Sequence, residues 1–200
     1  MMNNELKNQY IELLRSTKRE GIDGVIAFLC TSDFFTAPAS TKYHSCYEGG
    51  LLEHSMNVYA QLKEKLGSTD IYGSYSEDSI IISALLHDIC KTNYYVAEPK
   101  NKKVYSEDGS KVDSCGRFDW VSYMGYTVDD KAPLGHGEKS VIMLMPYIKL
   151  KKEELYAIRW HMGLSENDIN SAGKAFRMYP LALALHEADL EATYLLESEE

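Results

Sequence analysis

Apolar residues recur along most of the chain at intervals of three and four, the spacing that lines one face of an α-helix. NELKNQYIELLRS (4–16) shows it first, and GVIAFLC (24–30) continues as a second short helix. SDFFTAPAS (32–40) reads as a loop, punctuated by Pro38. From Gly50, LLEHSMNVYAQLKEKL puts Leu51, Ser55, Val58, Leu62 and Leu66 on one stripe. Ser74 followed by Glu77 fits a capping box for a helix over 76–89. That helix, EDSIIISALLHDI, is apolar on most sides and is expected at the centre of the fold. Helical patterning resumes in GEKSVIMLM (137–145), stopped by Pro146, and in KEELYAIRWHM (152–162). Pro180 suits the first turn of a last helix, LALALHEADLEATYLLE.

The pattern changes between 93 and 128. EDGS (107–110) separates KKVY from KVDS, and FDWVSYMGY follows. Tyrosines, valines and turn residues suggest a small β-hairpin, long enough and placed well enough to act as a substrate-covering flap. Tyr94, Tyr95, Tyr105, Tyr123, Tyr126 and Trp120 are candidates for a base-stacking wall within it. The reading is a mainly α fold, a helical bundle with a small inserted β-hairpin. Residues 1–43 form an N-terminal helical extension packed on the core, and 44–200 form the main domain, with the insertion at about 93–128. No repeat or low-complexity linker divides the chain, so one structural domain is expected.

Charge and composition narrow the function. The 200 residues carry a formal net charge of −9, which argues against broad capture of duplex nucleic acid. It leaves room for a local basic pocket that takes a small phosphorylated ligand. The final ESEE reads as a solvated tail. The N-terminus has no apolar signal region and no long apolar span appears, so no membrane association is expected. Cys30, Cys46, Cys90 and Cys115 form no CxxC pair, and free thiols in a reducing cytoplasmic setting are the simplest reading.

The chemistry lies in the histidines. His54 falls three after Leu51 and four before Val58, within the buried stripe. His87 and Asp88 fall three and four after Ala84, His161 three after Ile158, and Asp189 four after Leu185. Several separate helices therefore aim an imidazole or a carboxylate inward. One such histidine is ordinarily a core residue with a satisfied hydrogen bond. Burying this many independently would need many separate partners, whereas one shared metal site satisfies them all.

In order, these residues form a signature. GGLLEHS (49–55), LLHDICK (85–91) and ADLEA (188–192) together resemble the HD-domain metal-dependent phosphohydrolase superfamily, whose signature is H…HD…D. LGHGEKS with His136 and IRWHMG with His161 bring the resemblance closer to the extended form, H…HD…H…H…D, whose members can hold two metals. YHSCYEGGLLEH also looks like the opening of the HD domain in certain bacterial 3′–5′ exoribonucleases, which carry an upstream OB domain; the residues before His44 here read as helical instead. Cys90 stands where many relatives have glycine.

The resemblance implies a compact helical bundle and a metal held by His54, His87, Asp88 and Asp189. A second metal would use His136 and His161, with Asp88 bridging. Histidines and carboxylates without thiolates suit iron, manganese, cobalt, nickel or zinc, one or two ions per chain. The expected function is a metal-dependent phosphatase or phosphodiesterase acting on a small phosphorylated compound, a nucleotide by preference, through metal-activated water. Asp88, Lys91, Lys139 and Arg159 are its candidate catalytic residues. His44, Lys91 and Arg159 are candidates to bind substrate. Glu53 is a candidate to orient His54, and His186 reads as a packed core histidine. The alternatives are a 3′–5′ single-strand nuclease, a di-iron oxygenase of the HD-domain type, and a non-enzymatic interaction module.

Overall fold

The computed structural model describes residues 2–42, 45–163 and 169–197. Eight α-helices and one three-stranded antiparallel sheet lie within them. The helices are α1 (Met2–Ser16), α2 (Ile22–Thr31), α3 (Gly50–Ser68), α4 (Glu77–Leu86), α5 (His136–Leu144), α6 (Lys152–Trp160), α7 (Ile169–Met178) and α8 (Pro180–Glu191). A single 3₁₀ turn, Ile89–Lys91, follows α4, and a π-helical turn, Ala192–Leu196, follows α8.

Helix α4 is the axis of the bundle. Every residue from Ser79 to Leu86 is buried, because α1, α3 and α6 pack against it from different sides. Helix α8 closes the bundle against α3 and α6. Tyr10 and Leu14 of α1 and Val25 and Leu29 of α2 belong to the same apolar core as Leu51, Leu62, Leu85 and Leu185. The Tyr10 hydroxyl donates to the Leu85 carbonyl at 2.5 Å, which satisfies a polar tip carried into the interior.

Three local readings change. Helix α4 begins after Ser76, not within a Ser74–Glu77 capping box. A glutamate at the third position instead caps α6, where Glu154 accepts the Lys151 N–H at 2.8 Å. Helix α7 has no counterpart in the apolar pattern, since its buried face consists of Ala172 and Ala175, too small to mark a period. The last helix passes into π geometry at Ala192 rather than continuing as α.

The insertion is a ribbon. Strand β1 (Tyr95–Tyr105) pairs antiparallel with β3 (Gly116–Val128), in register from Tyr95 opposite Val128 to Tyr105 opposite Phe118. Short β2 (Lys111–Asp113) pairs with the other edge of β3, so the order is β1-β3-β2 and the tight turn is Asp113–Gly116. Most side chains of the ribbon are exposed on both faces. Among the described residues no helix is long and apolar enough to cross a membrane.

Candidate metal centre

Helix ends bring the histidines together. His87 is the C-cap of α4, and Asp88 (φ −105°, ψ 19°) leaves the helical conformation before the 3₁₀ turn. On a continuing helix the two side chains would diverge by about 100°. The break at Asp88 lets both face one point. His161 is likewise the C-cap of α6.

Two glycines permit the approach of the other elements. A Cβ on Gly137 would stand 2.2 Å from the Arg159 carbonyl oxygen, so only glycine lets the start of α5, with His136, rest on the last turn of α6. A Cβ on Gly50 would stand 2.0 Å from the Ser45 carbonyl oxygen, at the entry to the helix that carries His54. Asp189 reaches the same point from α8.

The imidazoles surround Asp88 in two pairs. Its Oδ2 lies 3.6 Å from His54 Nε2 and 3.4 Å from His87 Nε2. Its Oδ1 lies 3.2 Å from His136 Nε2 and 3.4 Å from His161 Nε2. Asp189 Oδ1 lies 3.2 Å from His54 Nε2. His54, His87 and His161 are fully buried and Asp88 is 3% exposed.

The donor set fits a metal on two counts. His87 Nδ1–H donates to the Ala84 carbonyl and His161 Nδ1–H to the Ile158 carbonyl, both at 2.7 Å. Each Nε2 therefore presents a lone pair, and among the described residues neither makes a hydrogen bond, nor does Asp88 Oδ1. Lone pairs aimed at a buried carboxylate repel unless a cation stands between them. The spacing agrees as well. Donors about 2.1 Å from one ion stand about 3.0–3.4 Å apart at octahedral or tetrahedral angles. Three overlapping groups bring their ligand atoms within 4.8 Å of one another and could each hold an ion: His54–His87–Asp88, His87–His161–Asp189 and Asp88–His136–His161.

The electrostatics follow from burial against charge. Burial opposes the ionised form of Asp88, but the Lys91 ammonium foremost holds its carboxyl well below the usual carboxylate range. Asp189 is lowered too, with His54 outweighing burial. Burial would lower His54, yet Asp189 and Glu197 raise it to about 9. His136 is raised to about 9 by Asp88 and Cys90, again against burial.

These shifts have opposite consequences for the metal-free fold and for metal binding. A histidine raised above its ordinary value of about 6.5 adds stability that is full below that pH and lost as pH climbs through 9. A metal held there would have to displace those protons, so its affinity would rise over the same window. The expected result is a metal-free unfolding midpoint that falls from pH 6.5 to 9 while metal affinity climbs. Thermal unfolding and chelator competition across that range check it, and parallel trends would contradict it.

A cavity of about 610 Å³ opens onto the centre. Asp88, Lys91, His136, His161 and Asp189 are among its lining residues. Tyr94, Tyr95, Val128, Leu190 and Tyr194 add aromatic and apolar surface to the same lining, with the Tyr94 ring 6.4 Å from that of His136. Lys91 is buried, with Nζ 2.6 Å from Asp88 Oδ2. The cavity of about 540 Å³ between α1 and the start of α3 carries Glu5, Glu48 and Glu53 and no histidine or lysine, so it lacks the donors for a metal-held phosphate.

The remaining candidate residues are divided between the cavity and its surroundings. Lys139 pairs with Asp130 and lies over the Tyr94 ring at 4.8 Å, and it does not line the cavity. Arg159 also lies off the cavity; its Nη2 is 2.7 Å from Glu138 and its guanidinium covers the Trp160 ring at 4.0 Å. Among the proposed stacking residues, Tyr94 and Tyr95 line the cavity, whereas Tyr105, Trp120 and Tyr123 are exposed on the ribbon. His186 is half-buried on the cavity wall, donating from Nδ1 to the His161 carbonyl at 2.7 Å. His44 lies outside the described residues.

Glu53 is exposed and accepts from the Tyr47 hydroxyl, so it does not orient His54. Glu197 stands there instead, its side chain 2% exposed and both oxygens 3.1 Å from His54 Nδ1. Reading ESEE as a solvated tail missed this residue. The signal was faint: Glu197 directly follows the apolar pair Leu195–Leu196.

No protein-family model matches the chain, and no solved structure matches it significantly. A 95-residue segment, 46% of the chain, is 36% identical to a dihydroneopterin 2′,3′-cyclic phosphate phosphodiesterase of Methanocaldococcus jannaschii, and the match spans 36% of that protein's length.

Proposed function

We propose that the chain is a metal-dependent phosphodiesterase of the HD-domain type that opens the cyclic phosphate of a small compound carrying a flat heterocycle, such as a nucleoside or a pterin. The observation that carries the reading is the set of imidazole Nε2 atoms around the two oxygens of Asp88, with Lys91 beside them in the lining of a cavity. The ordered H…HD…H…H…D residues and the name of the archaeal relative support it.

His54, His87, Asp88 and Asp189 would hold one ion, and Asp88, His136 and His161 a second. Such ions lower the pKa of bound water and polarise a phosphoryl oxygen. The rest falls to the chain. Lys91 offers its ammonium to a non-bridging phosphate oxygen, next to the carboxylate that fixes its position. Tyr94 and Tyr95, on the cavity lining, present ring surface to a planar group. Water adds to phosphorus, one ring P–O bond breaks, the leaving oxygen takes a proton, and a phosphomonoester results.

The test is hydrolysis of nucleoside and pterin 2′,3′-cyclic phosphates, with linear diesters and monoesters alongside, followed by phosphorus NMR with each candidate metal. Conversion of the cyclic substrates is expected. Lys91→Ala is expected to lower the rate by about 10²-fold, the usual loss for one charge-stabilising donor. Turnover of linear monoesters alone would overturn the cyclic substrate class, and inactivity with every metal would overturn the reading.

A further inference from the structure

We propose that Glu197 is the positioning residue of His54: it fixes the tautomer and ring orientation of that imidazole, and thereby the metal affinity of the centre. The proposal rests on the metal reading above.

The three buried histidines solve one problem in two ways. To offer Nε2 to a metal, an imidazole must carry its proton on Nδ1 and give that proton to an acceptor. His87 and His161 sit at helix C-termini, where the carbonyls of the last turn have no helical N–H partner. Each therefore uses the carbonyl three residues back, Ala84 or Ile158. His54 lies inside α3, where the preceding carbonyls are committed to the helix. It needs an acceptor from elsewhere in the chain, and the structure supplies Glu197.

The carboxylate is built into place. Besides the two contacts to His54 Nδ1, Asn57 Nδ2 donates to Oε1 at 3.0 Å and Ser45 Oγ donates to Oε2 at 2.9 Å. The π-helical turn sets its position. Residues 192–196 widen the helix after Asp189, and the Glu197 N–H closes the turn on the Ala192 carbonyl at 3.1 Å. Asp189 meets the ring at Nε2, and Glu197, eight residues on, meets it at Nδ1. In continuous α geometry those eight residues would advance about 12 Å. Single π turns of this kind occur often where a helix must re-aim a functional side chain. A carboxylate acceptor also makes the imidazole a stronger donor than a carbonyl does.

The test compares Glu197→Ala, Glu197→Gln and Leu62→Ala. Leu62 is buried two turns along α3 from His54, and its substitution reports what general loosening of the helix does. Metal affinity is read by competition with a chromophoric chelator, and the metal-free fold by thermal unfolding. Glu197→Ala is expected to weaken binding by about 10–100-fold. Glu197→Gln, which keeps an acceptor oxygen, is expected to recover part of that loss. Leu62→Ala is expected to lower the unfolding midpoint with affinity nearly unchanged. Wild-type affinity in Glu197→Ala, or an equal loss in Leu62→Ala, would overturn the proposal. A wild-type protein that takes up no metal would overturn the underlying metal reading instead.

Discussion

Replacing Asp88 by alanine is expected to remove bound metal and lower hydrolysis by about 10³-fold or more. The size of the effect follows from its place. Its two oxygens face two different histidine pairs, so one deletion removes a donor from both halves of the centre. It also leaves Lys91 buried without the carboxylate 2.6 Å away. Breaking a buried pair on one side costs about 3–5 kcal/mol, so the alanine variant is expected to be less stable as well. Asp88→Asn keeps the volume and isolates the charge. Metal content, turnover and urea unfolding of both variants separate the two effects. An asparagine variant with full metal and full activity would remove Asp88 from the centre.

Arg19→Ala is expected to cost about 3–5 kcal/mol of stability, although Arg19 is remote from the metal residues. Arg19 lies between α1 and α2 and reaches across the bundle. Its guanidinium meets both oxygens of Glu154 at 2.9 and 2.7 Å and Asp78 at 2.8 Å. Glu154 is fully buried; without Arg19 it keeps hydrogen bonds from Ser79 and the Lys151 N–H and a contact to Lys151 Nζ at 3.8 Å. A buried carboxylate that loses its closest cation carries the desolvation cost with less return. The acid limb changes with it. The Ser76 hydroxyl, Arg19 and Lys151 hold Asp78 below the usual carboxylate range, against burial. A depressed carboxylate adds stability above about pH 3.9 that is lost as pH falls. The variant is therefore expected to unfold at a higher pH on acidification, and unfolding monitored by circular dichroism from pH 7 to 2 reads both effects. An unchanged urea midpoint would show that the network contributes nothing net.

The bundle was legible because its helices carry large apolar residues at helical spacing. The run from Ser79 to Leu86 announces a helix buried on all sides, and α4 is that helix. Helix α7 was not legible, since alanine marks no face. Spacing on inward faces pointed to His54, His87, Asp88, His161 and Asp189 as a shared cluster, whereas His136 came only with the ordered motif. What a linear pattern does not carry is the company each charge keeps. Lys139 closely follows one histidine and Arg159 closely precedes another, yet they pair with Asp130 and Glu138. Glu197 sits among acids that look solvated, and a change of helical register turns it inward. The β-strands were readable from composition, but their order was not, because pairing of β1 with β3 is set across the intervening β2.

Metal content per chain tests the central claim most directly. The protein is purified without chelator or nickel affinity resin, reconstituted with manganese, iron or zinc, and measured by elemental analysis. The division of Asp88's oxygens between two histidine pairs leads us to expect about two ions per chain, reduced to near zero in Asp88→Ala. A wild-type protein that retains no ion under any of these conditions would contradict the account and return the buried histidines to a structural role.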